Sequence, residues 1–168
     1  ASLYEDVGQF DAADSVIAWG LTLVRDRDDQ QSEAELLVGQ GELLSQRKKW
    51  AEAIEAFESA KGLYEVTRDV FSGARVRLHL VKAHGSAGDD QAAATALREG
   101  EAFSRAYVLT EAEAQFAVER AVMAMRQKQT DDAAVSLDEA IRLFGALSDR
   151  HPGLARLETL RNALSNDK

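Results

Sequence analysis

The sequence predicts an all-α protein, a right-handed superhelical array of antiparallel helix hairpins. Three observations carry that reading. The small residues Ala13, Ala53, Ala93 and Ala133 are spaced by 40. Each is followed four residues later by a larger apolar side chain (Ile17, Phe57, Leu97, Leu137) and seven later by a small one (Gly20, Ala60, Gly100, Ala140). Spacing at i, i+4 and i+7 is one face of a helix, and recurrence at a fixed period marks an internal repeat. The composition agrees: the chain has one proline, many alanines and no period-2 run of β-branched residues, so helix is favoured and no sheet is expected.

The elements follow in order. Residues 1–7 read as the end of a helix cut short, closed by a turn at Gly8-Gln9-Phe10. A helix from Asp11 to about Arg27 carries Ala13, Ile17 and Gly20, and the cluster Asp26-Arg27-Asp28-Asp29 ends it. An acidic residue there suits the start of the next helix, about 31–46. Lys48-Lys49 turns the chain into about 50–66, which begins W-A-E-A-I-E-A-F. The next pair is about 70–87 and 90–107 around Gly88-Asp89, then about 110–127 and 131–147 around Lys128-Gln129. After His151-Pro152-Gly153, a last helix carries Leu154, Leu157, Leu160 and Leu164, and a proline suits its first turn. The expectation is seven full-length helices plus an N-terminal stub. Links of two to four residues make neighbouring helices antiparallel. No linker or low-complexity tract interrupts the chain, so residues 1–168 read as one repeat domain: a half-unit 1–29, full units about 30–69, 70–109 and 110–149, and a capping helix 152–166.

Composition narrows the function classes. The net charge is −9 and no basic stripe is present, which argues against a nucleic-acid partner. Residues 1–33 hold eight acids and two bases, a solvated surface or a docking face for a basic partner. No apolar run reaches the length of a membrane span, and no charged-then-apolar segment opens the chain. The absence of cysteine excludes disulfides and thiolate metal sites and is compatible with a reducing compartment, so the expected location is cytoplasmic. The chain opens on Ala1 rather than methionine, which fits a piece of something longer. His79 and His84 are five apart and do not form an i, i+4 zinc pair; the pairs Asp131-Asp132 and Asp138-Glu139 read as helix-start and surface charges. With no phosphate loop and no nucleophile motif, neither catalysis nor a cofactor is expected.

The residues resemble the tetratricopeptide-repeat family, whose units pair a first helix of large, small and aromatic positions with a second of small, aromatic and small ones. The second unit matches at Leu37, Gly41, Leu44, Trp50, Ala53, Phe57 and Ala60. The third matches at Leu80, Val81, His84, the Gly88-Asp89 turn, Ala93, Leu97 and Gly100. The fourth matches at Ala117, Ala121, Ala124, Ala133, Leu137 and Ala140, and the opening stub at Tyr4, Gly8, Phe10, Ala13, Ile17 and Gly20. The period of 40 rather than 34, and the missing unit-ending prolines, make it similar to the longer-helix variety of bacterial regulators and scaffold proteins.

The resemblance implies an adaptor that binds a peptide or helix of a partner in a groove lined by the first helices. Carried over by position, the lining is Val38 and Glu42, then Arg75, Leu78, His79 and Lys82, then Val118, Glu119, Val122 and Arg126. Val38, Leu78 and Val118 are 40 apart and form either an apolar line across the groove or packing between first helices. Arg75, Lys82 and Arg126 form either a basic spot or solvated surface charge. The asparagines with which some members clamp a terminal carboxylate are absent, so chaperone-tail binding is not expected. The alternative function is a structural or self-association segment, because the stub covers the helix of Ile17 thinly and exposed ends of repeat arrays associate, here as weak dimers.

Overall fold

The structure, a computed structural model, describes residues 3–148, 151–152 and 154–166, with side chains from Ala12 to Leu164. Eight helices follow one another: α1 (Leu3–Asp26), α2 (Gln30–Gln46), α3 (Trp50–Thr67), α4 (Val70–Ala87), α5 (Asp90–Ala106), α6 (Thr110–Arg126), α7 (Thr130–Leu147) and α8 (Leu154–Asn166). No strand occurs among the described residues. Seven of the expected helices, α2 to α8, are placed to within a residue or two.

The opening differs from expectation. Residues 3–10 carry no turn at Gly8-Gln9-Phe10; they continue α1 as one helix of 24 residues. A glycine inside a helix costs only about 1 kcal/mol relative to alanine, and no proline is there to force a break. The side chains of Tyr4, Gly8 and Phe10 lie outside the described ones. At the other end Pro152 sits in the turn before α8 rather than in its first turn.

Contacts divide the chain into two compact units, residues 1–87 and 88–168, where the sequence reads as one domain. In the first, α1 packs on α2, α2 on α3 and α3 on α4; in the second, α5 packs on α6, α6 on α7 and α7 on α8. Each unit is thus a series of helix hairpins in which consecutive helices cover one another's apolar faces.

The backbone repeats every 20 residues, twice as often as the side-chain pattern. Asp28, Lys48, Arg68, Gly88, Val108 and Lys128 all take left-handed φ values between 54° and 82°. The residue after each of Asp28, Lys48, Arg68, Val108 and Lys128 donates its N–H five residues back, as in Asp29→Val24 (3.0 Å), Lys49→Leu44 (2.9 Å) and Leu109→Ser104 (2.9 Å). This closure satisfies the last carbonyls of the finished helix. That same residue accepts the first bond of the next helix, as in Ala53→Lys49 (3.0 Å) and Ala133→Gln129 (3.0 Å). Asp29, Asp69 and Asp89 add a carboxylate cap, to the N–H groups of Ser32, Ser72 and Ala92. Lys49, Leu109 and Gln129 hold the same backbone position with no side-chain cap.

Among the six left-handed residues, only Gly88 lacks a Cβ to strain. Val108, β-branched and 79% exposed at φ 57°, bears the largest such cost and gains little packing for it. Val108→Gly is expected to raise stability by about 1 kcal/mol, after the extra entropy of glycine in the unfolded chain is subtracted. Urea unfolding checks this: the midpoint should rise, with the denaturant slope unchanged.

The core is made of small residues facing large ones. A methyl group on Gly20 would lie 3.1 Å from Leu36, and one on Gly100 would lie 2.3 Å from the Phe116 ring. Leu36, Val76 and Phe116 are 40 apart, and so are Gly20, Ala60 and Gly100, so glycine stands opposite the largest partners and alanine opposite valine in register. Ala60, Val76 and Phe116 are each 0% exposed. A second set has the same logic: Gly41 sits against the Phe57 ring, and Ala121 and Leu137 share the buried cluster of the second unit with Ala140, Leu143, Phe144 and Leu157.

Candidate functional site

Arg75, His79 and Lys82 lie at i, i+4 and i+7 on α4, so one helical face presents all three. His79 leans onto α3, where its ring stacks on Phe57 with centroids 4.9 Å apart and planes 18° apart. Across from it, Glu42 of α2 places Oε1 3.3 Å from His79 Nε2. Ser45 and Gln46 of α2, Trp50 of α3 and Ser86 of α4 complete the walls of a cleft of about 290 Å³. The site is thus an aromatic floor between a carboxylate and an ammonium group. Arg75 stands one turn along, near the buried Tyr64, whose phenol is pushed above its ordinary pKa by burial against the opposing influence of Arg75 and Ser72.

Burial holds His79 below the ordinary histidine value of 6.5; Glu42 opposes the shift, while Lys82 and Arg75 reinforce it. Since the folded value is depressed, the unfolded chain takes up a proton first as pH falls through 6.5. Stability should therefore drop on acidification through that value and level off once folded His79 is itself protonated. His79→Gln removes the titrating group. Between pH 7.5 and 5.5 the wild type should lose more of its urea midpoint than His79→Gln does; equal losses would contradict the assignment.

The other expected lining residues fall elsewhere. Val38 and Leu78 are 6% and 5% exposed, so their apolar surface is used in packing and the aromatic pair takes the place expected for them beside the charges. In the second unit Val118 packs, half-buried, against the core cluster; Glu119 and Val122 are half-buried, and Arg126 is exposed in the last turn of α6. Arg75 and Lys82 thus belong to the first unit and Arg126 to the second. Of the ten expected residues, the cleft brings together Glu42, His79 and Lys82.

Arg120 escapes the sequence reading. It donates from Nη1 to Glu101 of α5 (2.6 Å), from Nε to Ser136 of α7 (3.0 Å) and from Nη2 to Glu139 of α7. Glu101 also receives Arg105 at 2.9 Å, and the Ser136 hydroxyl donates to the Asp132 carbonyl at 2.8 Å. One guanidinium therefore ties three helices. The signal was present in the register: Arg120 stands 40 residues after Leu80, which is 2% exposed, so a half-buried charge stands where the first unit packs a leucine. Such a charge needs partners on every side that a leucine would have packed.

Among the described residues no group of three or more His, Asp or Glu side chains is placed to hold a metal ion, and no helix is long and apolar enough to cross a membrane. No protein-family model matches the sequence, and no curated protein matches it.

Proposed function

We propose that this chain is a non-catalytic, cytoplasmic interaction module of tetratricopeptide-repeat type, an adaptor or the partner-sensing part of a larger regulator. Its first-unit cleft takes an amphipathic peptide or helix. An apolar side chain of the partner lies on His79, which the buried Phe57 ring backs, beside Trp50, and a carboxylate turns toward Lys82 and Arg75. The observation that supports this most is the meeting of Glu42, His79 and Lys82 around one aromatic floor. Aromatic contact supplies most of the affinity, while the partly exposed charges set orientation and each contributes only about 0.2–1 kcal/mol.

The test is capture of partners from the host with the wild type and with Arg75→Glu/Lys82→Glu, followed by affinity measurement on the purified partner. The double variant should bind on the order of tenfold more weakly at low salt, with its helical signal unchanged, and the difference should shrink as salt is raised. Full affinity in the double variant would overturn the assignment of the cleft.

Self-association is the second reading, and one observation favours it. Ala13, Ile17 and Gly20 on α1 are only half-buried, whereas Ala53, Phe57 and Ala60, 40 residues later, are 0–1% exposed. A second copy could cover that face. Light scattering that shows a dimer lost on Ile17→Asp would support this reading; a monomer at millimolar concentration would remove it.

A further inference from the structure

The second unit contains a larger cleft, of about 530 Å³, that the sequence register does not anticipate. Leu97 and Ala94 of α5, Met123 and Arg120 of α6, and Val135, Asp132 and Glu139 of α7 line it, with Gln127 and Gln129 at the turn between α6 and α7. Two features distinguish it from an incidental gap. First, Arg120 lines it, and its three-way clamp to Glu101, Ser136 and Glu139 ties α5, α6 and α7 around it at the position where Leu80 is packed in the first unit. Second, its rim carries an apolar side chain, Val135, at 65% exposure, next to the exposed Asp132 carboxylate. Glu139 offsets Arg120 at the cleft, Glu101 is shared between Arg120 and Arg105, and the exposed Asp132 carboxylate leaves the rim with a net negative charge, so the cleft is apolar within and acidic at its edge.

We infer that this cleft is a docking site for a basic amphipathic segment of another protein, one apolar side chain entering against Leu97, Met123 and Val135 while a neighbouring Lys or Arg reaches Asp132 and Glu139. Charge complementarity selects this occupant: an acidic segment would meet two like charges at the rim, and in a protein of net charge −9 the field adds to that preference. The volume lies within the range of specific binding pockets and admits a leucine-sized side chain with room to spare. The charge preference is opposite to that proposed for the first-unit cleft, so the two sites would sort partners by sign.

The chain has two methionines, Met123 in the cleft and Met125 two residues on, about 200° around the same helix. This allows a direct test by methyl NMR with ¹³C-labelled methionine. The probe is an acetylated, amidated helix-forming peptide with leucines at i and i+4 flanked by arginines; the control replaces the arginines with glutamates. The arginine peptide should shift the Met123 methyl saturably and leave Met125 nearly unmoved, and the glutamate peptide should shift neither. Asp132→Lys/Val135→Lys, two exposed positions, should weaken the arginine peptide at least fivefold. Lys82→Glu in the first unit should change nothing, which keeps this test independent of the cleft of Glu42 and His79. No saturable Met123 shift up to millimolar arginine peptide, an equal shift by the glutamate peptide, or full affinity in the Asp132/Val135 variant would each overturn the inference.

Discussion

Replacing Phe57 with alanine is expected to remove about 3–5 kcal/mol of stability, a large share of what a domain of this size possesses. The ring is 1% exposed and is gripped on both sides. One edge lies against Gly41, close enough that a methyl there would be 2.4 Å from Cε1, and one face stacks on His79 at 4.9 Å. Alanine would leave an empty volume between α2, α3 and α4, continuous with the 290 Å³ cleft. Chemical unfolding gives the stability loss directly. A second readout separates this local account from general damage: without the ring, His79 is less buried, so its pKa should move up toward the ordinary value. A loss under 1 kcal/mol with His79 unmoved would mean that the contact seen here does not hold the first unit together.

Most of the fold was legible because side-chain size repeats so strictly. The 40-residue recurrence of Ala13, Ala53, Ala93 and Ala133 identified four second-type helices, and the turn residues between them set the boundaries. What the sequence concealed was the 20-residue backbone period. Its left-handed positions are occupied by Asp28, Lys48, Arg68, Gly88, Val108 and Lys128, of which only Gly88 is a recognised turn signal. The tertiary packing of both flanking helices imposes the turn even on valine. At the opening the reverse occurred: Gly8 is a turn residue in that same register, yet the chain there stays helical.

The candidate site was legible in part. Spacing placed Arg75, His79 and Lys82 on one face, but periodicity alone could not separate a groove-lining apolar residue from a packed one, and Val38 and Leu78 proved to be packed. The stacking of His79 on Phe57 depends on the crossing of α3 and α4, which no residue pattern encodes. The Arg120 clamp was missed because its partners lie on the two neighbouring helices, α5 and α7, 16 to 19 residues away in sequence.

If positions 40 residues apart are structurally equivalent, side-chain pairs can be exchanged between them. Gly41 and Phe57 correspond to Ala121 and Leu137, and Gly100 and Phe116 to Ala60 and Val76. Gly41→Ala alone should destabilise by about 1–3 kcal/mol, because a ring held by His79 and buried on all sides cannot retreat; the clash outweighs the gain of up to about 1 kcal/mol that alanine brings to a helix. Gly100→Ala should do the same against Phe116, which is 0% exposed. The compensating changes are read from the other unit: Phe57→Leu with Gly41→Ala, and Phe116→Val with Gly100→Ala. The decisive measurement is therefore the double-mutant cycle on Gly41 and Phe57 by urea unfolding. If the register governs the packing, the double variant will be more stable than the sum of the single losses allows, by about 1 kcal/mol or more. If the two losses simply add, the pair from the second unit does not fit the first, and the equivalence of the repeats is contradicted.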